Sequence, residues 1–339
     1  NQNKEILDIL SKLEKDIEEF PVRSNKQVMS VDYAHGRINT GSVSDTLALK
    51  ELGYKKISAH KYMSRTANAR TGLFNKIGKF PRSIFAIGSM PAVSGWRDVI
   101  VTQAIAHGAI FVHRNSIHAG HIDKQINLIN DAKSVISSLN LSKTQEQIVM
   151  RNIGAALGTG NIKEEMHNAR MLYSKAGVKL FRIYTINSDP RVIEITQALR
   201  KEFGDKVEIF VGQVADKEMC LRLIEDDIKA DALFFGHGGG RQCTSAANGM
   251  AVTTLEEIYS VITDKRFNKT TILAEGAVGR SVGPLLILGL DGVSYSQQLT
   301  HGTIETGDLF FEHKNGRPAH PYHGSASAPT MIIEAANEE

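Results

Sequence analysis

Eight short apolar runs recur along the chain between residues 84 and 296, and a helix-length segment separates each run from the next. They are IFAIG (84–88), AIFVH (109–113), NIGAAL (152–157), LFRIYT (180–185), VEIFVG (207–212), ALFFG (232–236), TILAEG (271–276) and GVSYS (292–296). Continuous apolar runs are typical of parallel strands buried on both faces, which amphipathic helices must cover. Eight strand–helix units in a row favour a closed (β/α)8 TIM barrel over an open doubly wound sheet.

The first 80 residues follow a different pattern. Residues 3–19 form a charged segment with apolar residues at helical spacing, namely Ile6, Ile9, Leu10, Leu13 and Ile17. A polar stretch follows, in which DTLALKELG predicts a helix that ends at Gly53. We therefore predict a helical and irregular N-terminal extension over residues 1–80, packed over the barrel or a partner subunit, and a catalytic barrel over residues 81–339.

Composition narrows the class of protein. Apolar residues make up 42% of the 339 and the formal net charge is +3, which does not favour a nucleic-acid or membrane-surface partner. No apolar run approaches the roughly 20 residues that span a bilayer, and the N-terminus lacks a signal-peptide pattern. Two cysteines are too few for a disulfide framework or a four-cysteine zinc site. We expect a cytoplasmic enzyme with reduced thiols, and the sequence assigns no metal site.

Active sites of such barrels lie in the loops that follow the strands, and the loop after the sixth strand reads GHGGGRQCTS (236–245). Its glycines, among them Gly238 and Gly240, allow the backbone to approach a ligand closely. A reactive thiolate needs an accessible, electropositive setting, which Arg241 and backbone amides could supply for Cys243. Cys220, on the apolar face of a predicted helix, is expected to be an inert buried thiol.

Three later segments also follow strand ends. AEGAVGRSVG (274–283) places Glu275 and Gly276 where a carboxylate can accept hydrogen bonds from ribose hydroxyls and a helix N-terminus suits an anion. Glu305 in HGTIETGD (301–308) is a candidate acid or base, and YHGSAS (322–327) offers small residues such as Ser325 and Ala326 against a planar base. The alternative for each segment is an ordinary turn or surface loop, with Glu275 merely exposed.

Together these motifs resemble the IMP dehydrogenase/GMP reductase family over roughly residues 84–335. GHGGGRQCTS is similar to the family's catalytic-cysteine loop, and ILAEGAVGRSVG is similar to its ribose-binding turn, with Glu275 where the family usually has Asp. HGTIETGD and YHGSAS resemble its strand-eight segment and base-contacting loop. GSMPAV (88–93), GAIFVHRNS (108–116) and VGQV (211–214) fall at corresponding strand ends.

The resemblance implies a covalent mechanism on a purine nucleotide with a nicotinamide cofactor. Cys243 would add to C2 of the purine, and Glu305 would be the acid/base partner of the departing amine. Thr244 and Ser245 lie where the reductases have a hydroxyl pair near that leaving group. A homotetramer is the assembly that the resemblance implies. The family's dehydrogenases also bind a monovalent cation through carbonyls of the cysteine loop, which stays an open alternative here.

Two features resemble GMP reductase more than IMP dehydrogenase, which implies NADPH as the cofactor. No regulatory domain is inserted between strands two and three. The dehydrogenase loop YRGMGS, whose arginine is a base that activates water, reads here from Tyr322 to Ser327 with His323 in place of that arginine. A histidine could serve as a base, although a single histidine in a loop more often has no such role.

The sequence departs from the family where the phosphate and cofactor would bind. A phosphate-binding serine two residues before the cysteine is replaced by Arg241, and a Gly-Gly pair after strand eight is replaced by Gln297 and Gln298. Arg241 could bind phosphate in a bidentate manner, or the substrate could lack that phosphate.

On the cofactor side, Tyr184 or Thr185 stands where the family has an Asp, and Gln213 stands where it has an Asn. Two alternatives therefore stay open. The chain could act on a modified purine or other heterocycle, or it could be a non-catalytic nucleotide-binding relative.

A different enzyme class also has to be considered. HGGG (237–240) resembles a lipase oxyanion loop, and GRSVG (279–283) matches the nucleophile elbow of α/β-hydrolases around Ser281. Such an enzyme would need an acid and a histidine further along the chain, and only one predicted strand follows. The strand count favours the barrel.

Overall fold

The computed structural model describes residues 28–32, 37–41, 74–114, 122–185, 188–237, 253–275, 282–295, 310–311 and 318–319. All eight apolar runs form strands of one parallel sheet. In chain order these strands are β1 (Phe85–Ala86), β2 (Ile110–Val112), β3 (Ile153–Leu157), β4 (Leu180–Tyr184), β5 (Glu208–Val214), β6 (Ala232–Phe235), β7 (Thr271–Ala274) and β8 (Gly292–Ser294).

Each strand pairs with its neighbours in chain order, and β8 pairs in parallel with β1. A further parallel bridge joins Ile87, directly after β1, to Ile110 of β2. Two backbone hydrogen bonds support that bridge, from Ile87 N to Ala109 O (2.8 Å) and from Phe111 N to Ile87 O (3.2 Å). The sheet therefore closes on itself, which confirms the predicted (β/α)8 barrel.

The helices follow the strands, as the barrel requires. The described helices are α1 (Pro91–Ser94), α2 (Arg97–Ile105), α3 (Ile122–Ser137), α4 (Lys143–Met150), α5 (Ile162–Ala176), α6 (Arg191–Phe203), α7 (Lys217–Leu223), α8 (Leu255–Ile262) and α9 (Val282–Leu288). Local sequence sets several of their ends. Ser142 and Thr254 begin α4 and α8 with capping boxes, and Gly177 ends α5 in the left-handed conformation. The segment between β2 and β3 is filled by two helices, α3 and α4.

The buried apolar residues form two clusters because strand side chains alternate between the two faces of the sheet. The larger cluster lies between the outer face of the sheet and the helices. The smaller one fills the barrel interior and consists of Ile77, Ala86, Ala109, Phe111, Leu180, Phe210, Ala232, Phe234 and Leu273. Phe111, Phe210 and Phe234 pack against one another there, with ring centroids 5.3–6.1 Å apart. This core separates the two ends of the barrel.

A hairpin that the sequence did not reveal closes the end of the barrel where the strands begin. Residues Phe74–Ile77 pair antiparallel with Phe80–Ser83, and Ile77 packs in the interior cluster. The amide of Gly78 donates to Oγ1 of Thr271, the first residue of β7 (3.0 Å). Arg82 enters the same end and pairs with Glu208, the first residue of β5 (2.6 Å).

Two further antiparallel pairs join Val28–Asp32 to Arg37–Gly41 and Phe310–Phe311 to Pro318–Ala319. The helices predicted over residues 3–19 and 45–53 lie outside the described residues. Among the helices that are described, none is long and apolar enough to cross a membrane.

Candidate functional site

A buried ion pair lies at the carboxyl ends of the strands. Arg182 of β4 is fully buried, and its Nη2 donates to Oε2 of Glu275, the residue that follows β7. The same guanidinium donates to the carbonyl oxygen of Gly212, through Nη2 (3.2 Å) and Nε (3.4 Å). Glu275 keeps 10% of its side chain exposed. The pair places a carboxylate at the mouth of the barrel, with its countercharge beneath it.

The guanidinium of Arg182 reaches across the barrel interior. Its Cζ lies 4.0 Å from the ring centroid of Phe234 and 5.1 Å from that of Tyr184, which is within range for cation–π attraction. Gly88, after β1, gives it room, since a Cβ there would lie 2.4 Å from Nη1 of Arg182. Within the described part of the chain, Nη1 is buried and has no hydrogen-bond partner.

His113 directly follows β2 at the same end of the barrel. Its ring packs edge-on against Tyr184, with ring centroids 5.9 Å apart. Burial lowers the pKa of His113 to about 3, and the positive charges of Arg114 and Arg182 lower it in the same direction. The imidazole is therefore neutral at physiological pH.

The three residues expected near a cofactor lie together at the carboxyl ends of two adjacent strands, β4 and β5. Tyr184 pairs with Gly212 in the register of β4 and β5. Gln213 N donates to the carbonyl of Thr185 (2.8 Å), and both of these residues are buried. The hydroxyl of Thr185 accepts from the amide of Asp189 (3.0 Å). Of the three, Tyr184 is the one that is half-buried, so its ring is the surface that a planar group could contact.

A histidine–serine pair spans the loops after β4 and β6. Nε2 of His237 lies 3.0 Å from Oγ of Ser188, which also accepts from the amide of Ala215 (3.1 Å). The His237 amide donates to Oγ1 of Thr253 (2.9 Å). Burial lowers the pKa of His237, although the charge of Glu275 opposes this shift. The contact between His237 and Ser188 joins the loops that follow β4 and β6.

Most of the predicted site residues lie outside the described residues. These are Cys243, Thr244, Ser245 and Glu305 of the proposed chemistry, and Gly238, Gly240, Arg241, Gly276, Gln297, Gln298, Ser325 and Ala326 of the proposed substrate site. His323 and Ser281 lie outside them as well. Their roles stay predictions. Among the residues that the structure does describe, no cluster of three His, Cys, Asp or Glu could hold a metal ion.

The other cysteine is placed where the sequence predicted. Cys220 lies in α7 with no exposed surface, and burial raises the pKa of its thiol. A buried, protonated thiol is a poor nucleophile. Cys220 is therefore a core residue.

Sequence reasoning missed Arg182, Ser188, His113 and His237 as members of the site. Arg182 did carry a signal, because a charged residue within the apolar run LFRIYT has to find a partner when the strand is buried. The signal does not name that partner, since Glu275 is 93 positions away along the chain. His237 was visible in GHGGG, but nothing in the sequence pairs it with Ser188.

Comparison with known proteins identifies the family of the chain. A family model described as the IMP dehydrogenase / GMP reductase domain matches residues 60–339. Inosine-5'-monophosphate dehydrogenases of Mycobacterium bovis and Mycobacterium tuberculosis are 29% identical over 184 residues, and that of Mycobacterium leprae is 28% identical. Each alignment covers 53% of this chain and 33% of the relative, so the chain spans about a third of the length of these relatives. The chain belongs to the IMP dehydrogenase/GMP reductase family.

Proposed function

We propose that this protein is a purine nucleotide oxidoreductase that works as a GMP reductase, converting GMP to IMP and ammonia with NADPH. The observation that carries the proposal is the family match over residues 60–339. The geometry supports it, because Glu275, Tyr184 and His113 lie together at one end of the barrel, around Arg182. Cys243 follows β6 along the chain, so we expect its side chain at the same end of the barrel, where loops after parallel strands meet.

In the proposed reaction the thiolate of Cys243 adds to C2 of the guanine ring. Glu305 donates a proton to the amine on that carbon, and ammonia leaves as the C2–N bond breaks. NADPH held beside Tyr184, Thr185 and Gln213 would supply the hydride that C2 accepts. The C2–S bond breaks last, which releases IMP and regenerates the thiolate. Thr244 and Ser245 would hydrogen-bond the departing amine.

The described residues fit the binding of a nucleotide and a nicotinamide. Glu275 offers a carboxylate that Arg182 keeps in place and that ribose hydroxyls can approach. The half-buried ring of Tyr184 offers a flat surface for a planar ring, and Thr185 and Gln213 hold its strand in place by backbone hydrogen bonds. His113, neutral behind Tyr184, adds no charge to this surface.

The decisive experiment mixes the protein with GMP and NADPH and follows NADPH absorbance, with IMP and ammonia measured by mass spectrometry and a chemical assay. We expect one IMP and one ammonia for each NADPH oxidised. Cys243→Ala should abolish turnover, whereas the matched control Cys220→Ala should retain it because that thiol is buried away from the mouth. Full turnover by Cys243→Ala would refute the covalent mechanism.

A second candidate is an enzyme of the same family that acts on a modified purine or another heterocycle. The replacement of the family's small phosphate-site residues by Arg241, Gln297 and Gln298 favours it. Binding of GMP without turnover, together with alkylation of Cys243 that GMP prevents, would select this candidate. A tetramer and a cytoplasmic location stay predictions, and light scattering on the purified protein tests the first.

A further inference from the structure

Three loops at the carboxyl ends of the strands meet at the hydroxyl of Ser188. Its Oγ, in the loop after β4, accepts from the amide of Ala215 in the loop after β5 (3.1 Å). The same Oγ lies 3.0 Å from Nε2 of His237, which follows β6. A serine hydroxyl can donate one hydrogen bond and accept two, so it can bind both groups at once. One side chain thus joins the ends of three successive strands.

Both residues of the Ser188–His237 contact are held in place on their own sides. The amide of Asp189 donates to Oγ1 of Thr185, directly after β4 (3.0 Å), which fixes the turn around Ser188. His237 keeps 6% of its surface exposed, and its amide donates to Oγ1 of Thr253 (2.9 Å). Positions 237 and 253 stand on either side of the glycine-rich segment with the candidate nucleophile. The contact therefore links the turn after β4 to both ends of that segment.

Ser188 makes this contact from an unfavourable backbone conformation. Its φ is +51°, in the left-handed region that residues with a Cβ seldom adopt. Strained residues of this kind cluster at active sites, where the surrounding structure holds them in place. The two polar contacts of the hydroxyl offset the strain, whereas a glycine at this position would relieve the strain and lose both contacts.

We infer that Ser188 and His237 are positioning residues that set the distance between the hydride donor and the substrate carbon. This inference rests on the proposed function, in which the nicotinamide lies beside Tyr184 and Thr185 and the substrate is bound to Cys243. Tyr184 precedes Ser188 by four positions, and Cys243 follows His237 by six. Reacting atoms have to lie about 3–3.5 Å apart, and a misplacement of about 1 Å can cost roughly 100-fold in rate. The contact fixes the two loops against each other, so its loss should slow the hydride step most.

Ser188→Gly isolates the hydroxyl, because glycine adopts a positive φ without strain. We expect single-turnover oxidation of NADPH to slow about 10- to 100-fold, measured by stopped flow on protein preincubated with GMP. Formation of the Cys243 adduct, measured by intact-mass spectrometry without NADPH, should change by less than about 3-fold because this step does not involve the cofactor. Asn140→Gly is the matched control, since Asn140 also has a positive φ (+56°) but lies exposed between α3 and α4. Both steps should keep their wild-type rates in it.

Two further variants test the hydrogen bond itself. Ser188→Asn keeps a residue that tolerates positive φ and an oxygen that can accept from the amide of Ala215, so it should recover part of the hydride rate. His237→Phe removes the other partner and keeps a ring. Because Ser188 and His237 act through one contact, combining Ser188→Gly with His237→Phe should slow the hydride step by less than the product of the two single effects.

An unchanged hydride step in Ser188→Gly would overturn the inference. An equal loss of adduct formation would overturn it as well, because it would indicate a general structural role. A double variant that loses the full product of the single effects would show that the two residues act independently, against the inference. If His237→Phe does not fold, Ser188→Gly and Ser188→Asn decide the question by themselves. These results leave the proposed function standing, whereas wild-type protein that forms no IMP from GMP and NADPH refutes both.

Discussion

The buried ion pair at the opposite end of the barrel leads to a quantitative prediction about stability. Arg82 is fully buried and donates to both oxygens of Glu208, Nη2 to Oε1 (2.6 Å) and Nη1 to Oε2 (2.9 Å). Its remaining donors reach Asn152 Oδ1 (3.0 Å), Ile77 O (2.6 Å) and Arg151 O (3.3 Å). One side chain therefore joins the closing hairpin to the starts of β3 and β5.

Replacement of Arg82 by Met removes all of these donors while keeping much of the side-chain volume. It leaves the Glu208 carboxylate buried, with the amide of Lys79 as a remaining donor among the described residues (2.8 Å). Loss of one partner from a buried ion pair typically costs about 3–5 kcal/mol, and the acceptor on Asn152 also loses its donor. We expect the free energy of unfolding of Arg82→Met to fall by about 4 kcal/mol.

The assay is urea unfolding followed by circular dichroism, with the free energy obtained from the midpoint and a common slope. Arg170→Met is the control, because its solvent-exposed ion pair with Glu202 should contribute little to the free energy of unfolding. The double variant Arg82→Met with Glu208→Gln should be more stable than Arg82→Met alone, since it removes the uncompensated charge of the Glu208 carboxylate. A loss below about 1 kcal/mol in Arg82→Met would refute this reasoning, as would a double variant that is less stable than the single one.

Three further predictions concern pH, backbone conformation and thiol reactivity. Burial lowers the pKa of His107 to about 4 and that of His113 to about 3, so the unfolded chain binds more protons below about pH 6.5. Stability should be full above that pH and fall by up to about 1.4 kcal/mol per pH unit for each histidine as the pH drops toward 4. His107→Gln should make the urea midpoints depend less steeply on pH, and an unchanged slope would contradict the lowered pKa of His107. Gly78→Ala should destabilise the protein by about 2 kcal/mol or more, because φ of Gly78 is +67° and the new Cβ would lie 2.5 Å from Oε2 of Glu208. Gly177→Ala is the control: its φ is +59° and the nearest atom to the new Cβ is 3.6 Å away, so it should show the smaller effect of backbone strain alone. Equal urea midpoints for the two variants would contradict the clash at Gly78. Cys220 should resist alkylation in the native protein and react after unfolding in urea, because its thiol is buried. Peptide mass spectrometry measures the modification, and alkylated Cys220 in the native protein would contradict its burial.

The sequence predicted the architecture because the barrel's signal is local. Every apolar run became a strand, since a strand buried on both faces needs contiguous apolar residues whatever its neighbours are. The same logic placed Glu275 at the carboxyl ends of the strands, because parallel strands present these ends together. Tyr184, Thr185 and Gln213 were singled out by the family resemblance, and the structure places them at adjacent strand ends. The closing hairpin was missed because its short strands, FNKI and FPRS, mix apolar with polar residues and carry no clear period.

Only the tertiary structure decided which charges meet. Arg182 and Glu275 lie 93 positions apart, and Arg82 and Glu208 lie 126 apart, yet each pair is joined inside the barrel. The alternation of side chains along a strand indicates which residues face the barrel interior. The shift in register between strands of the closed barrel then decides which of those residues lie at the same height along the barrel axis and can contact each other. The sequence by itself thus determined the strands, the glycine-rich loop and the candidate nucleophile Cys243. Closure of the barrel decided that the carboxylate of Glu275 lies against a buried arginine, because it brings β4 and β8 within hydrogen-bond distance of the residue that follows β7.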